Sequence, residues 1–166
     1  MKVKLGEVSL GFTKNISQKD LENNNGCYPV YGASGYIKDI DFYVSDKPYI
    51  GIVKDGSGVG RADLYPAYSS LLGTMQYVFP NEKIDITYLL YALRYMKLGS
   101  QYSGAAIPHI YYKNYKNNEL NYRDIEAQKA VSTNLSRIEK AIELCHTKLS
   151  NFDELVKSRF ILQEVA

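Results

Sequence analysis

Eight apolar residues near the end of the chain constrain it most. Val131, Leu135, Ile138, Ile142, Cys145, Leu149, Phe152 and Val156 follow one another in steps of four, three, four, three, four, three and four. That is a 3.5-residue repeat, the period of a coiled-coil seam. No Pro or Gly interrupts it. A helix that packs on its own globular domain shows a wider apolar face than this stripe. The pattern therefore predicts a long helix that pairs with another molecule, and a chain that is half of an assembly. From Val131 to Val156 such a helix is ~39 Å long at ~1.5 Å per residue. That slightly exceeds one turn of B-DNA, ~34 Å. Burial of ~1.5 kcal/mol per seam residue sums to about 12 kcal/mol. Association costs ~4–15 kcal/mol, so pairing needs most of the seam.

At 166 residues the chain has room for one domain with an appendage. Its N terminus, MKVKLGEVSLGF, lacks the apolar run of a signal peptide, and no apolar stretch approaches the ~18 residues of a membrane span. The expectation is a soluble, cytoplasmic protein with no membrane association. Cys27 and Cys145 lie far apart in sequence, so no disulfide is expected in a reducing compartment. A formal net charge of +2 neither demands nor excludes a nucleic-acid partner. Sixteen Tyr and no Trp are unusual. Tyr offers a flat face with a polar tip and suits interfaces and nucleobases, or simply half-buried strands.

Residues 1–126 read as mixed, β-rich structure. Asn23-Asn24-Asn25-Gly26 is a turn. Tyr49 to Lys54 predicts a strand, Asp55-Gly56-Ser57-Gly58 a turn, and Val59 to Tyr65 the returning strand of a hairpin. Leu71 to Phe79 predicts another strand. The period then changes: Ile86 to Leu98 reads as a helix with Asp85 as N-cap and Gly99 at its end. Ile110 to Tyr115 fits a strand or a turn of helix. Asp124 is the expected cap of the long helix, whose pattern continues to about Arg159. The fold class expected is α+β, a β-rich domain with a few helices followed by a long C-terminal coiled-coil helix.

No catalytic constellation is legible. Gly56-Ser57-Gly58-Val59-Gly60 lacks the Lys-Ser/Thr of a phosphate loop, and Arg61 stands where a dinucleotide fingerprint needs its third Gly. It reads as a flexible hairpin tip, or as a bare backbone that approaches an anionic ligand between Lys54 and Arg61, with Ser57 at its tip. His109 and His146 have no second ligand at metal spacing, so neither metal nor cofactor is expected. Asp39 and Asp41 share a strand face, and a solvated turn is the simplest account of them. From Arg94 to Arg123, however, Arg94, Lys97, Lys113, Lys116 and Arg123 face a single acid, Glu119, among six tyrosines. Gln101, Tyr102, Asn114 and further amides join them. Cations bind phosphate through counterion release, and amides read adenine edges. The composition suits a DNA surface; the alternative is a solvated face on a mildly basic protein. The candidate DNA-contacting residues are Lys54, Ser57, Arg61, Gln101, Tyr102, Lys113, Asn114 and Lys116.

The order of these pieces resembles one half of a type I restriction-modification specificity subunit. Leu5-Gly6-Glu7-Val8 opens the domain, and Ile50 to Gly60 resembles the family's strand and glycine-containing turn. Tyr88 to Leu93 resembles its helix, and Ser103-Gly104-Ala105-Ala106-Ile107-Pro108 its small-residue loop. Leu120 to Gln128 resembles the segment that ends a target-recognition domain with Glu-x-Gln, although Asn121-Tyr122-Arg123 stands where the family often has prolines. Phe152 to Phe160, FDELVKSRF, closely resembles the end of the family's conserved helix. The resemblance implies a half-length subunit with a target-recognition domain at 1–123 and a dimerisation and spacer helix at 124–162. It implies sequence-specific binding of double-stranded DNA as a homodimer reading a bipartite target. It also implies recruitment of methyltransferase and restriction subunits, and no catalysis by this chain. The antiparallel sense of pairing comes from the resemblance alone. Two other functions compete: a protein-interaction adaptor that oligomerises through the coiled coil, and a nuclease built on Asp39 and Asp41.

Overall fold

The computed structural model describes residues 1–104 and 107–164, and the side chains of these except Gln101 and residues 160–164. The fold is α+β. Its centre is a four-stranded antiparallel sheet formed by β2 (Ser9–Phe12), β8 (Met75–Pro80), β5 (Tyr49–Val53) and β6 (Ala62–Tyr65), in that order. A second sheet orders β4 (Gly35–Ile40), β3 (Tyr28–Gly32) and β7 (Ser70–Leu71), with β3 and β7 parallel. β1 (Lys2–Lys4) pairs with β9 (Glu119–Asn121), joining the two ends of the domain. Short helices α1 (Leu5–Val8), α2 (Lys19–Glu22) and α4 (Tyr112–Tyr115), together with α3 (Ile86–Tyr95), complete it. Residues 1–129 form one compact unit and residues 130–166 another.

All five residues of β5 are buried. Successive side chains of a strand point to opposite faces, so YIGIV feeds two cores. Ile50 and Ile52 join Val78, Ala62 and the buried Leu89, Leu90 and Leu93 of α3. Tyr49 and Val53 join Tyr65, Leu71, Met75 and Tyr77. Gly51 faces the aromatic side because a Cβ there would lie 2.5 Å from the Tyr65 ring. Four of the sixteen tyrosines pack on this face. Tyr49 contacts Tyr77 at 4.8 Å and Tyr65 at 5.8 Å, Tyr65 contacts Tyr31 at 5.0 Å, and Phe12 stacks on Tyr77 at 5.0 Å. Burial pushes the Tyr77 phenol up to about 12 and raises Tyr49 further, although Ser69 hydrogen-bonds it at 2.7 Å.

Local signals placed several elements where expected. Asp85 caps α3, its Oδ1 accepting from Tyr88 N at 2.9 Å. Asp124 Oδ1 accepts from Ala127 N at 2.8 Å, opening α5 (Ile125–Glu164), which continues past Arg159. The Tyr49–Tyr65 segment is a hairpin, with β6 beginning at Ala62 rather than Val59. Two expectations are corrected. Leu71 to Phe79 is not one strand: a turn at residues 72–74 divides β7 from β8, and the two pieces serve different sheets. α3 ends at Tyr95 rather than Leu98, because Lys97 turns left-handed (φ 47°) and Leu98–Gln101 form a 3-10 turn. Ile110 to Tyr115, open between strand and helix, contains the helical turn α4.

Gln128, the last residue of Glu-x-Gln, is fully buried. Its Oε1 accepts from Asp85 N at 2.8 Å, and its Nε2 donates to Lys83 O at 3.0 Å and Arg123 O at 2.8 Å. One side chain thus ties the first turn of α5 to the start of α3. Replacing it with Leu removes the partner of one part-buried N–H and of two carbonyls. Gln128→Leu is expected to lower the unfolding free energy by about 2–4 kcal/mol in urea denaturation.

Candidate nucleic-acid interface

The glycine-rich turn of the β5–β6 hairpin is held on two sides. Gly56 N donates to Pro108 O at 3.0 Å and Ile110 N donates to Lys54 O at 2.9 Å. Ser103 and His109 exchange backbone bonds of 2.9 Å each, and Asp55 bridges to His109. On the other side Gly60 (φ 84°) backs onto Gly99 of the 3-10 turn: a Cβ on Gly60 would stand 2.1 Å from Gly99 N. The tip expected to be flexible is therefore packed, because two glycines distant in sequence let two backbones touch. Gly56 is also left-handed (φ 91°), but nothing lies within 4 Å of where its Cβ would be.

Tyr111 stands beside this turn, half exposed. The Lys54 ammonium lies 5.9 Å and the Lys113 ammonium 5.5 Å from its ring centroid. The His109 ring is 5.5 Å away. The next residue is anchored from below: Tyr112 N donates to Oε1 of buried Gln76 at 3.0 Å. The Tyr112 ring crosses β2 over Gly11, where a Cβ would lie 2.3 Å from it, and its hydroxyl donates to Ser9 O at 2.7 Å. Burial raises the Tyr112 phenol above its ordinary pKa, against the lowering effect of Ser9.

The structure brings some of the sequence candidates together and separates others. Lys54, Ser57, Tyr102 and Lys113 sit on the segments that meet around His109 and Tyr111. Their states differ. The Lys54 ammonium is paired with the Asp55 carboxylate and its side chain is 11% exposed. Ser57, Tyr102, Lys113 and Asn114 are exposed. Arg61, just before β6, has its Nε 3.6 Å from Asp63 Oδ2, and Asp63 Oδ1 also accepts from Arg94 at 2.8 Å. Lys116 is exposed at the end of α4, where its carbonyl accepts from Gly6 N at 2.8 Å. The Gln101 side chain, and Ala105 and Ala106 of the small-residue loop, lie outside the described residues. Tyr111 and His109 were not among the candidates. The Tyr111-Tyr112-Lys113 run held a signal for Tyr111, but its second cation comes from a residue 57 positions earlier.

The other chemistries find little geometry. Asp41 and Asn24 exchange two bonds, Asn24 Nδ2 to Asp41 Oδ1 at 2.7 Å and Asp41 N to Asn24 Oδ1 at 2.8 Å, which makes Asp41 a turn staple. Among the described residues no group of three His, Cys, Asp or Glu could hold a metal ion. No described helix is long and apolar enough to cross a membrane.

The seam of α5 is exposed. Ile138, Ile142, Leu149, Phe152 and Val156 are each 53–62% accessible, Leu135 is 37% accessible, Cys145 is exposed, and only Val131 is half-buried. Leu144 and Leu155, outside the seam, are exposed as well.

A family model for the type I restriction modification DNA specificity domain matches residues 1–151. Among solved structures, the S subunit of the type I restriction-modification system from M. genitalium is similar with a TM-score of 0.70 at 17% identity. A structure concerned with complex assembly and conformational transition of the type I R-M system gives 0.68 at 17% identity. The HsdS subunit from Thermoanaerobacter tengcongensis gives 0.66, also at 17%. Each match covers 86% of this chain but only 40%, 39% and 38% of the respective solved chain. No curated protein matches the sequence.

The packing of the turn predicts unequal costs for its glycines. Gly60→Ala, which drives a methyl into the Gly99 backbone, is expected to cost about 3 kcal/mol. Gly56→Ala, with open space and only its φ against it, should cost about 1–2 kcal/mol. Paired denaturation curves measure the difference.

Proposed function

The chain belongs to the type I restriction-modification DNA specificity domain family, and from that membership we propose that it is a DNA-sequence recognition module that reads one half of a split target. Residues 1–123 are the target-recognition domain and residues 124–162 the spacer helix. The chain does no chemistry itself; methylation and cleavage fall to partner subunits that it recruits to the DNA. Two copies pair through Val131, Leu135, Ile138, Ile142, Cys145, Leu149, Phe152 and Val156, so that two domains address a bipartite sequence.

The observation that carries this reading is the exposed seam. A 3.5-residue stripe that stays open to solvent over most of its length is a surface awaiting a partner, since monomeric proteins rarely expose so much contiguous apolar area. The basic and aromatic surface around Tyr111 supports DNA as the ligand of the domain.

Two measurements test the proposal. Leu135→Asp combined with Ile142→Asp puts charges into the seam of both copies. Light scattering should then report monomers where the unaltered chain gives dimers; a double variant of unchanged mass would remove the seam from the dimer contact. For the domain, affinity for duplex DNA should fall steeply with salt, and Lys113→Glu with Lys116→Glu should weaken it at least tenfold at ~0.15 M salt, each reversal exchanging a phosphate contact for a repulsion. An adaptor that binds only protein would show no such binding, and undiminished affinity in the double variant would clear these lysines.

A further inference from the structure

We propose that Tyr111 is a positioning residue: its ring holds the Lys113 ammonium where a DNA phosphate can reach it. The inference rests on the DNA-reading role proposed above and names the part of the surface that makes one backbone contact. Two lysines lie over the Tyr111 ring, at 5.9 Å for Lys54 and 5.5 Å for Lys113. A ring attracts cations through its quadrupole, yet the two cations are not equivalent. Lys54 is paired with the Asp55 carboxylate and its side chain is 11% exposed. Its charge is neutralised inside the turn. Lys113 is exposed and makes no ion pair among the described residues. Lys54 is the cation that helps seat the ring, and Lys113 the cation that the ring presents.

The ring can present it because its own backbone is fixed. Ile110 N is bonded to Lys54 O at 2.9 Å, Asn114 N to Tyr111 O at 2.8 Å and Tyr112 N to buried Gln76 at 3.0 Å. A free lysine samples many rotamers and loses that freedom when it meets a phosphate. A lysine already resting on a rigid aromatic has lost part of it beforehand, which is preorganisation. The ring, not the hydroxyl, does this, so phenylalanine should replace tyrosine here.

Fluorescence anisotropy with a ~30-base-pair duplex, over a series of salt concentrations, reads the contact. Removing one phosphate contact lowers the slope of log K against log salt by about 0.9, and weakens binding about fivefold at ~0.15 M salt. Lys113→Met should show that loss. Tyr111→Leu should show a loss of the same kind, Tyr111→Phe should keep the unaltered slope, and the Tyr111→Leu, Lys113→Met double variant should be no worse than Lys113→Met alone. A Tyr111→Phe variant that behaves like Tyr111→Leu would overturn the role of the ring. A Tyr111→Leu variant that keeps the full slope while Lys113→Met loses it would overturn the positioning. An unchanged slope in Lys113→Met, with DNA still bound, would place the phosphate contact elsewhere and leave the DNA-reading role standing. Absence of any salt-dependent binding by the unaltered chain would instead defeat that role itself. A second measurement needs no change at Tyr111, should its leucine variant not fold. With lysines reductively methylated with carbon-13, the Lys113 resonance, identified by its loss in Lys113→Gln, should be shifted by the ring current and should move when duplex is added. A resonance at the position of the free side chain, unmoved by DNA, would overturn the proposal.

Discussion

Burial of β5 on both faces is the constraint from which the rest of the domain follows. A strand in that position must supply a core on each side, and Tyr49–Val53 does so with aliphatic residues toward α3 and aromatic residues away from it. At ~25 cal/mol per Å2 of apolar surface, a strand covered on both faces gains burial energy from each. The hairpin that leaves β5 is consequently rigid at its root, since Gly60 N bonds back to Val53 O at 2.8 Å. A rigid root is what allows a glycine-rich turn to act as a fixed platform for Lys54, Asp55 and the His109–Tyr111 segment.

Glycine does its work in this fold mainly by absence. Gly60 against Gly99, Gly11 under Tyr112 and Gly51 under Tyr65 are three places where a missing Cβ lets another group approach closely. The first two close contacts between segments far apart in the chain, and the third packs the two paired strands of one hairpin. The same economy governs charge. Asp55 neutralises Lys54, Asp63 is shared by Arg61 and Arg94, and Lys113 remains outward. A basic composition therefore overstates the number of cations free to meet DNA, because several are consumed in holding the domain together.

Much of the architecture was legible residue by residue. Asp85 and Asp124 announced their helices, the YIGIVK run its strand, and the turn residues the hairpin. Leu71 to Phe79 misled because Gly73 and Thr74, inside an apolar run, carry a turn that period-2 reasoning passes over; buried strand and buried turn look alike when both are apolar. The end of α3 misled because Gly99 was read as a stop, while its role is to accept Gly60 at close range. For the site, residue type pointed to the region between Arg94 and Arg123, but nothing local told Lys54, spent on Asp55, from Lys113, which makes no ion pair among the described residues. Tyr111 was passed over because its second cation, Lys54, comes from the distant β5–β6 hairpin.

The sequence by itself determined the long helix, its 3.5-residue seam and its capping residues, and with the order of its motifs the family to which the chain belongs. These are properties of near neighbours: a helix period is set by residues three and four apart, and a cap by residues three apart. Only the tertiary structure decided which tyrosines form the core, which lysine is neutralised, and that Gln128 ties α5 to the start of α3. Those outcomes depend on groups brought together by folding from far apart in the chain, and the strength of a charge or a hydrogen bond is set by whatever partner and solvent it meets there.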